Sequence, residues 1–119
     1  MPRRDINLKL IIMPYVDTAL KLEQVPVGEN RCVTLGGVQI GLFRNPEGLF
    51  ALNNVCPHRG GPLHEGLVAD GQVACPWHQW RFQLDDGVCQ NLPKVRVTTY
   101  PVEVRNGAIW INVEDQGAT

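Results

Sequence analysis

The sequence predicts an all-β fold, an antiparallel sandwich or barrel. Short segments rich in apolar and β-branched residues are separated by Gly, Pro, Asn and Asp at short, regular intervals. No stretch keeps its apolar residues at helical spacing for more than about two turns. Many short strands divided by such turn residues are typical of a sandwich or barrel.

Length and composition indicate one globular domain spanning residues 1–119. Apolar residues make up 44% and charged residues 19%, which is ordinary for a globular protein. A net charge of −1 argues against a nucleic-acid partner. No apolar run approaches the roughly 18 residues of a membrane span. Asp5, Asn7 and Lys9 interrupt the apolar run that a signal peptide needs, so we expect a cytoplasmic protein without a membrane partner.

The first element is a strand predicted over residues 6–12. Its apolar side chains recur at every second position, namely Ile6, Leu8, Leu10 and Ile12. This is the pattern of a strand with one dry face, and Pro14 ends it. Segment 1–14 is interpreted as an extra edge strand, or alternatively as an arm that pairs with a neighbouring subunit.

Turn signals then define two hairpins. Gly36-Gly37 separates segments 31–35 and 38–44 and supplies the positive φ angles of a two-residue hairpin. Residues 45–48 read Asn-Pro-Glu-Gly, with Pro second and Gly fourth as a type I turn prefers. Segment 49–53 is therefore the next predicted strand.

Three later turns complete the pattern. Asp70-Gly71 and Asp85-Asp86-Gly87 are predicted to reverse the chain, and Asn106-Gly107 is predicted to join segments 100–105 and 108–113 in a hairpin. Between the strands, residues 53–93 are predicted to form an inserted subdomain.

That subdomain carries two short segments that mix cysteine with histidine. The first holds Cys56 and His58 as Cys-x-His, and the second holds Cys75 and His78 as Cys-x2-His. Together they predict a four-ligand metal site. Structural zinc sites usually take cysteine pairs and histidine pairs from separate places. Two sulfide-bridged irons instead have two free positions each, so each loop can give one Cys and one His, as in a Rieske [2Fe-2S] centre.

The four cysteines also allow a disulfide framework with three pairings. A reducing compartment and the paired histidines argue against it. Cys32 and Cys89 are interpreted as buried, inert thiols.

The motif, followed by an aromatic residue and an Asp-Gly turn, resembles the Rieske [2Fe-2S] ferredoxins and domains over about residues 15–113. The resemblance implies that Cys56 and Cys75 hold the buried iron. It also implies that His58 and His78 hold the outer iron and face solvent.

Two departures from the Rieske proteins of quinol-oxidising membrane complexes narrow the resemblance. Those proteins carry an extra cysteine in each loop, joined as a disulfide, where this chain has Gly61 and Trp77. They also have a serine after the second histidine that bonds to a sulfide, where this chain continues with Gln79 and Trp80. Fewer hydrogen bonds to sulfide favour a low-potential centre, toward about −150 mV.

Residues around the motif receive weaker interpretations. Trp77 is expected to shield the cluster, Trp80 to pack in the core, and His64 to be a surface histidine rather than a proton site. Leu92-Pro93 resembles the loop that covers the cluster in the family, and Arg59 and Lys94 are expected to be solvated surface charges.

Electron transfer is the predicted function, because four protein ligands complete the cluster and the sequence shows no substrate site. The resemblance favours the small subunit of an NAD(P)H-dependent nitrite reductase, in nitrate assimilation, whose partner is the larger catalytic subunit. The alternative is the ferredoxin of an aromatic-ring-hydroxylating dioxygenase, whose partners are an oxygenase and a reductase. A zinc-binding structural protein is the remote alternative.

Overall fold

The computed structural model describes residues 15–113. The predicted strand at 6–12, and with it the question of an edge strand or an arm at 1–14, lies outside these residues. The strands within the described range are β1 Tyr15–Lys21, β2 Asn30–Leu35, β3 Val38–Asn45, β4 Gly48–Asn53, β5 Leu67–Ala69, β6 Gln72–Ala74, β7 Arg81–Gln83, β8 Thr99–Tyr100, β9 Val102–Arg105 and β10 Ala108–Asn112. Two short 3-10 helices, Leu22–Gln24 and Leu63–Glu65, interrupt them.

The strands form three antiparallel sheets, which confirms the predicted all-β fold. Their strand orders are β1-β10-β9, β2-β3-β4-β8 and β5-β6-β7. None of the three closes into a barrel within residues 15–113. No helix in that range is long and apolar enough to cross a bilayer.

The predicted turns are confirmed by their backbone angles. Both residues have positive φ in Gly36-Gly37 (57° and 83°), Asp70-Gly71 (54° and 74°) and Asn106-Gly107 (51° and 82°). Each pair joins two antiparallel strands, as a two-residue hairpin with this geometry does. In the turn before β4, the side chain of Asn45 accepts hydrogen bonds from the backbone of Glu47 and Gly48 at 2.8 and 3.0 Å.

The segment predicted as one strand from 100 to 105 is divided between two sheets. Tyr100 belongs to β8 and pairs with Ala51, whereas β9 begins at Val102 and pairs with β10. Pro101 lies between them and has no N–H to donate, so a regular ladder cannot continue through it. Its carbonyl still accepts the backbone N–H of Asn112 at 3.0 Å.

Two groups of buried side chains form the core. One lies among the strands of the first two sheets and includes Ile40, Leu42, Ile109 and Ile111. The second core group comes mostly from residues 53–93 and contains Phe43, Leu52, Cys56, Leu63, Val73, Cys75, Phe82, Leu84, Cys89 and Val97. Two of the predicted metal ligands are thus core residues.

Asn54, directly after β4, holds the 3-10 helix Leu63–Glu65 in place through His64. Its side chain is 1% exposed. Its Oδ1 accepts the backbone N–H of His64 at 2.8 Å, and its Nδ2 lies 2.9 Å from Nδ1 of the same histidine. A Cβ on Gly41 would lie 2.7 Å from Asn54 Oδ1, so glycine in β3 makes room for this contact. From β2, Asn30 Nδ2 donates to the carbonyls of His64 and Gly66, both at 3.1 Å.

Candidate metal centre

The first cysteine loop follows β4 and is closed by its own backbone. Cys56 donates its N–H to the carbonyl of Gly61 at 2.9 Å and accepts the N–H of Gly60 at 2.7 Å. Gly60 has φ +82°, a left-handed conformation that glycine adopts without steric cost. An isolated β-bridge between Val55 and Pro62 closes the base of the loop.

The second loop, between β6 and β7, repeats this arrangement. Cys75 donates its N–H to the carbonyl of Trp80 at 2.7 Å and accepts the N–H of Gln79 at 2.8 Å. Gln79 is also left-handed, with φ +63°. Both cysteines are therefore presented by the same backbone turn.

The two thiols lie side by side in the interior. Cys56 and Cys75 are each 1% exposed, and neither forms a disulfide. Burial raises the pKa of the Cys56 thiol, the backbone N–H groups of His58 and Arg59 lower it, and the neighbouring Cys75 raises it. A Cβ on Gly61 would lie 2.8 Å from Cys75 Sγ, so glycine lets the first loop approach the thiol of the second.

The two histidines lie together on the outer side of the loops. The imidazoles of His58 and His78 are 5.1 Å apart between centroids and nearly perpendicular, at 81°. His78 is exposed and His58 half-buried. Desolvation lowers the pKa of His58, and the charges of His78 and Arg59 lower it further. Its Nδ1 is buried and has no hydrogen-bond partner.

These donors suit a two-iron cluster. Within residues 15–113, no three His, Cys, Asp or Glu side chains form a group that could hold one metal ion. A structural zinc ion needs about four converging donors. Two sulfide-bridged irons need only one pair of donors each, and the structure provides a thiol pair and an imidazole pair. The buried Nδ1 of His58, which has no hydrogen-bond partner, is free to bind a metal, as expected of a ligand atom.

The residues predicted to border the site are mostly exposed. We call the group Pro57, Arg59, Gly60, Trp77 and Pro93 the outer face, since all five are exposed. Trp77 is 56% exposed, and its ring lies about 3.1 Å from where a Gly61 Cβ would be. Leu92 is 42% exposed, and Lys94 is exposed as predicted.

One interpretation is wrong. His64 is not a solvated surface histidine, because it is half-buried and bonded to Asn54. Trp80 packs against the second core group, as predicted, and it also stacks on His58, with ring centroids 3.9 Å apart and planes at 12°. Sequence spacing cannot reveal that stack because it joins two separate loops.

The other two cysteines differ from each other in burial. Cys89 is buried, as predicted, in the same core group as Cys56 and Cys75. Cys32 in β2 was predicted to be buried but is only half-buried, and this partial burial raises the pKa of its thiol.

An antiparallel all-β fold with two Cys/His loops over a buried thiol pair defines an iron–sulfur protein. The sequence pattern of the Rieske [2Fe-2S] domain matches residues 17–101, most of the chain. The chain therefore belongs to the Rieske [2Fe-2S] domain family. Membership implies a [2Fe-2S] cluster and a function in electron transfer.

Curated relatives fall into two groups by size. The chain is 39% identical over 103 residues to cholesterol 7-desaturase of Drosophila melanogaster, matching 82% of this chain but 23% of the desaturase. It is 36% identical to 4beta-methylsterol monooxygenase of Methylococcus capsulatus and covers 28% of it. The chain thus spans about a quarter of these larger relatives. It spans 96% of the ferredoxin component of the naphthalene 1,2-dioxygenase/salicylate 5-hydroxylase systems of Ralstonia sp, with 29% identity.

Solved structures of similar size include both classes expected from the sequence. One, described as the small subunit of an NADH-dependent nitrite reductase from Mycobacterium tuberculosis, has a TM-score of 0.75 and 34% identity, covering 82% of this chain and 94% of that one. The ferredoxin of carbazole 1,9a-dioxygenase from Nocardioides aromaticivorans IC177 also has a TM-score of 0.75, with 27% identity and 82% and 95% coverage.

Proposed function

We propose that Cys56 and Cys75 bind one iron of the cluster and that His58 and His78 bind the other, within the subdomain 53–93. The buried thiol pair and the unpartnered Nδ1 of His58 support this assignment. With two neutral imidazoles in place of two thiolates, a bound [2Fe-2S] centre accepts one electron at a higher potential than an all-cysteine cluster.

The proposed site has an inner side formed by the two buried cysteines and an outer side formed by the two histidines. The cysteines lie in the core, where water is excluded, and the backbone N–H groups of His58 and Arg59 point to the sulfur of Cys56. Hydrogen bonds to the sulfur ligands are one means by which a protein sets the potential of such a centre. Because His78 is exposed, a redox partner can contact the outer side and exchange an electron there.

We further propose that the chain is the small subunit of an NAD(P)H-dependent nitrite reductase. The observation that carries this proposal is its 34% identity with the M. tuberculosis protein, over 82% of this chain and 94% of that one. That value exceeds the 29% and 27% with the two dioxygenase ferredoxins of similar length.

The partner in this proposal is the larger catalytic subunit. We expect the outer face, which has two prolines, one tryptophan, one glycine and one arginine, all exposed, to border the exposed histidine side. Weak redox encounters bury less than about 1,200 Å², so a small, partly apolar surface is sufficient for docking.

A ferredoxin of an aromatic-ring dioxygenase is the second candidate. The match to 96% of the Ralstonia ferredoxin component, at 29% identity, favours it. The choice between the two systems lies in the partner, since both use the same cluster chemistry.

Two experiments test the proposal. Analysis of the purified protein should find iron and acid-labile sulfide in about equal amounts; zinc without sulfide would support the structural zinc protein instead. Nitrite reduction by the catalytic subunit with NAD(P)H should then require this chain. Failure of that assay, together with support of a ring-hydroxylating oxygenase, would select the ferredoxin.

A further inference from the structure

Trp80 contacts one of the two imidazoles and not the other. Its indole is nearly parallel to the ring of His58, at 12°, with centroids 3.9 Å apart. His78 meets only the edge of His58 and has no stacked aromatic neighbour among residues 15–113. The two histidines are therefore held differently by the protein.

Two contacts hold Trp80 in place. Its carbonyl accepts the N–H of Cys75 at 2.7 Å, and its side chain packs against the second core group. Since His58 belongs to the first loop, the stack is a side-chain connection between the loops. It fixes the plane of a ring whose Nδ1 is buried without a partner.

We propose that Trp80 is a positioning residue that holds the plane of the His58 imidazole, whose Nδ1 is buried. Tilting that ring out of its plane would break the parallel contact, so the second loop sets the plane of a ligand in the first. His78 lacks this restraint. This inference rests on the proposed role of His58 as a ligand.

The test compares Trp80→Leu with Trp80→Phe in the cluster-loaded protein. Stacked aromatic pairs contribute about 0.5–1.5 kcal/mol beyond burial, which corresponds to about a two- to twelvefold change in an equilibrium or rate. Trp80→Leu should release iron to a chelator faster by a factor in this range. It should also broaden the electron paramagnetic resonance signal of the reduced cluster and shift its potential, and Trp80→Phe should restore much of each property.

Two controls separate positioning from general stability. Phe50→Leu makes the same kind of aromatic-to-leucine change at a residue of β4 that packs against the same buried core and is not stacked on His58. Val68→Ala weakens packing against the same buried core without touching the stack. Both should leave the resonance signal and the potential unchanged.

The inference is overturned if Trp80→Leu matches Phe50→Leu in iron release, signal and potential. It is also overturned if Val68→Ala reproduces the spectral changes at equal loss of thermal stability. A separate variant, His58→Ala, tests the underlying assignment. If that variant keeps its full iron content and spectrum, the ligand role of His58 fails, whatever the Trp80 variants show.

Discussion

Gly60 and Gln79 hold equivalent positions in the two cysteine loops. Each lies four residues after its cysteine, donates its backbone N–H to that cysteine's carbonyl, and has a positive φ. The first loop fills this left-handed position with glycine, and the second fills it with a residue that has a Cβ. The two loops therefore differ in strain although their hydrogen bonds match.

This difference predicts opposite outcomes for two substitutions. A non-glycine residue in the left-handed region costs about 1–2 kcal/mol, so Gly60→Ala should lower the free energy of unfolding by about 1 kcal/mol. Gln79→Gly removes such strain, which stabilises the fold. Glycine also raises the entropy of the unfolded chain, which offsets part of that gain, so the variant should be neutral or slightly stabilising. Urea unfolding of both variants measures this. If both variants lose the same free energy of unfolding, the proposed difference in backbone strain between the two loops is wrong.

Gly66 is predicted to be required for a different reason. Its φ is −86°, which any residue adopts, but a Cβ there would overlap the carbonyl oxygen of Ala74 in β6. Forcing an atom into a packed site costs about 1–3 kcal/mol or more, so Gly66→Ala should unfold at clearly lower temperature. Gly48→Ala is the matched control, since a Cβ there would meet nothing nearer than 3.7 Å. Equal melting temperatures for the two variants would refute this reading.

Cys75 and Cys89 form a natural pair for testing the ligand assignment. Both are buried in the same group of core residues and neither is in a disulfide. Cys75→Ala should abolish iron binding, because it leaves one iron without a thiolate. Cys89→Ala should remove a similar volume and retain the cluster. Visible absorption and iron content are the measurements, and a Cys75→Ala protein that stays fully loaded would sink the assignment.

The bond between Asn54 and His64 predicts a large cost for removing a buried amide. Asn54→Leu leaves the backbone N–H of His64 without its partner, and a buried unsatisfied donor costs about 1–3 kcal/mol. Asn91→Ala is the comparison, since its Oδ1 accepts the N–H of Arg81 at an exposed position where water can replace it. Denaturant unfolding should show the larger loss for Asn54→Leu, and the reverse order would be inconsistent with a structural link.

The lowered pKa of His58 predicts the pH dependence of the cluster-free protein. A histidine whose pKa is lower folded than unfolded favours the fold when neutral. Its contribution is complete above the unfolded value of about 6.5 and is lost as pH falls below it toward the lowered folded value. The melting temperature should therefore decline over that acidic range, and His58→Gln should weaken the decline. An unchanged slope in His58→Gln would assign the effect to other groups.

Local turn chemistry made much of this fold predictable. Pairs such as Gly36-Gly37 and Asn106-Gly107 require positive φ, and the structure has it at both. Pro101 carried a signal that the strand interpretation overlooked, since a proline within a strand indicates a break. The Cys/His spacing likewise indicated that the two loops would lie close together, with Cys56 near Cys75 and His58 near His78.

Contacts between separate loops could not be predicted in the same way. The stack of Trp80 on His58 and the bonds from Asn54 to His64 join positions that no local pattern relates. They arise when the second loop and the 3-10 helix Leu63–Glu65 pack on the sheet, so they depend on tertiary geometry. For the same reason, nothing in the sequence around His64 indicated that it would be half-buried and bonded to Asn54.

The backbone bonds that close the cysteine loops also bear on the speed of electron exchange. Each loop keeps its shape through two hydrogen bonds between its own residues, at 2.7–2.9 Å. Loops closed by their own backbone hydrogen bonds should change shape little when one electron is added to a group held between them. Because preorganised groups cost little rearrangement at the moment of reaction, we expect the repeated turn to keep the structural rearrangement that accompanies electron exchange small in both directions.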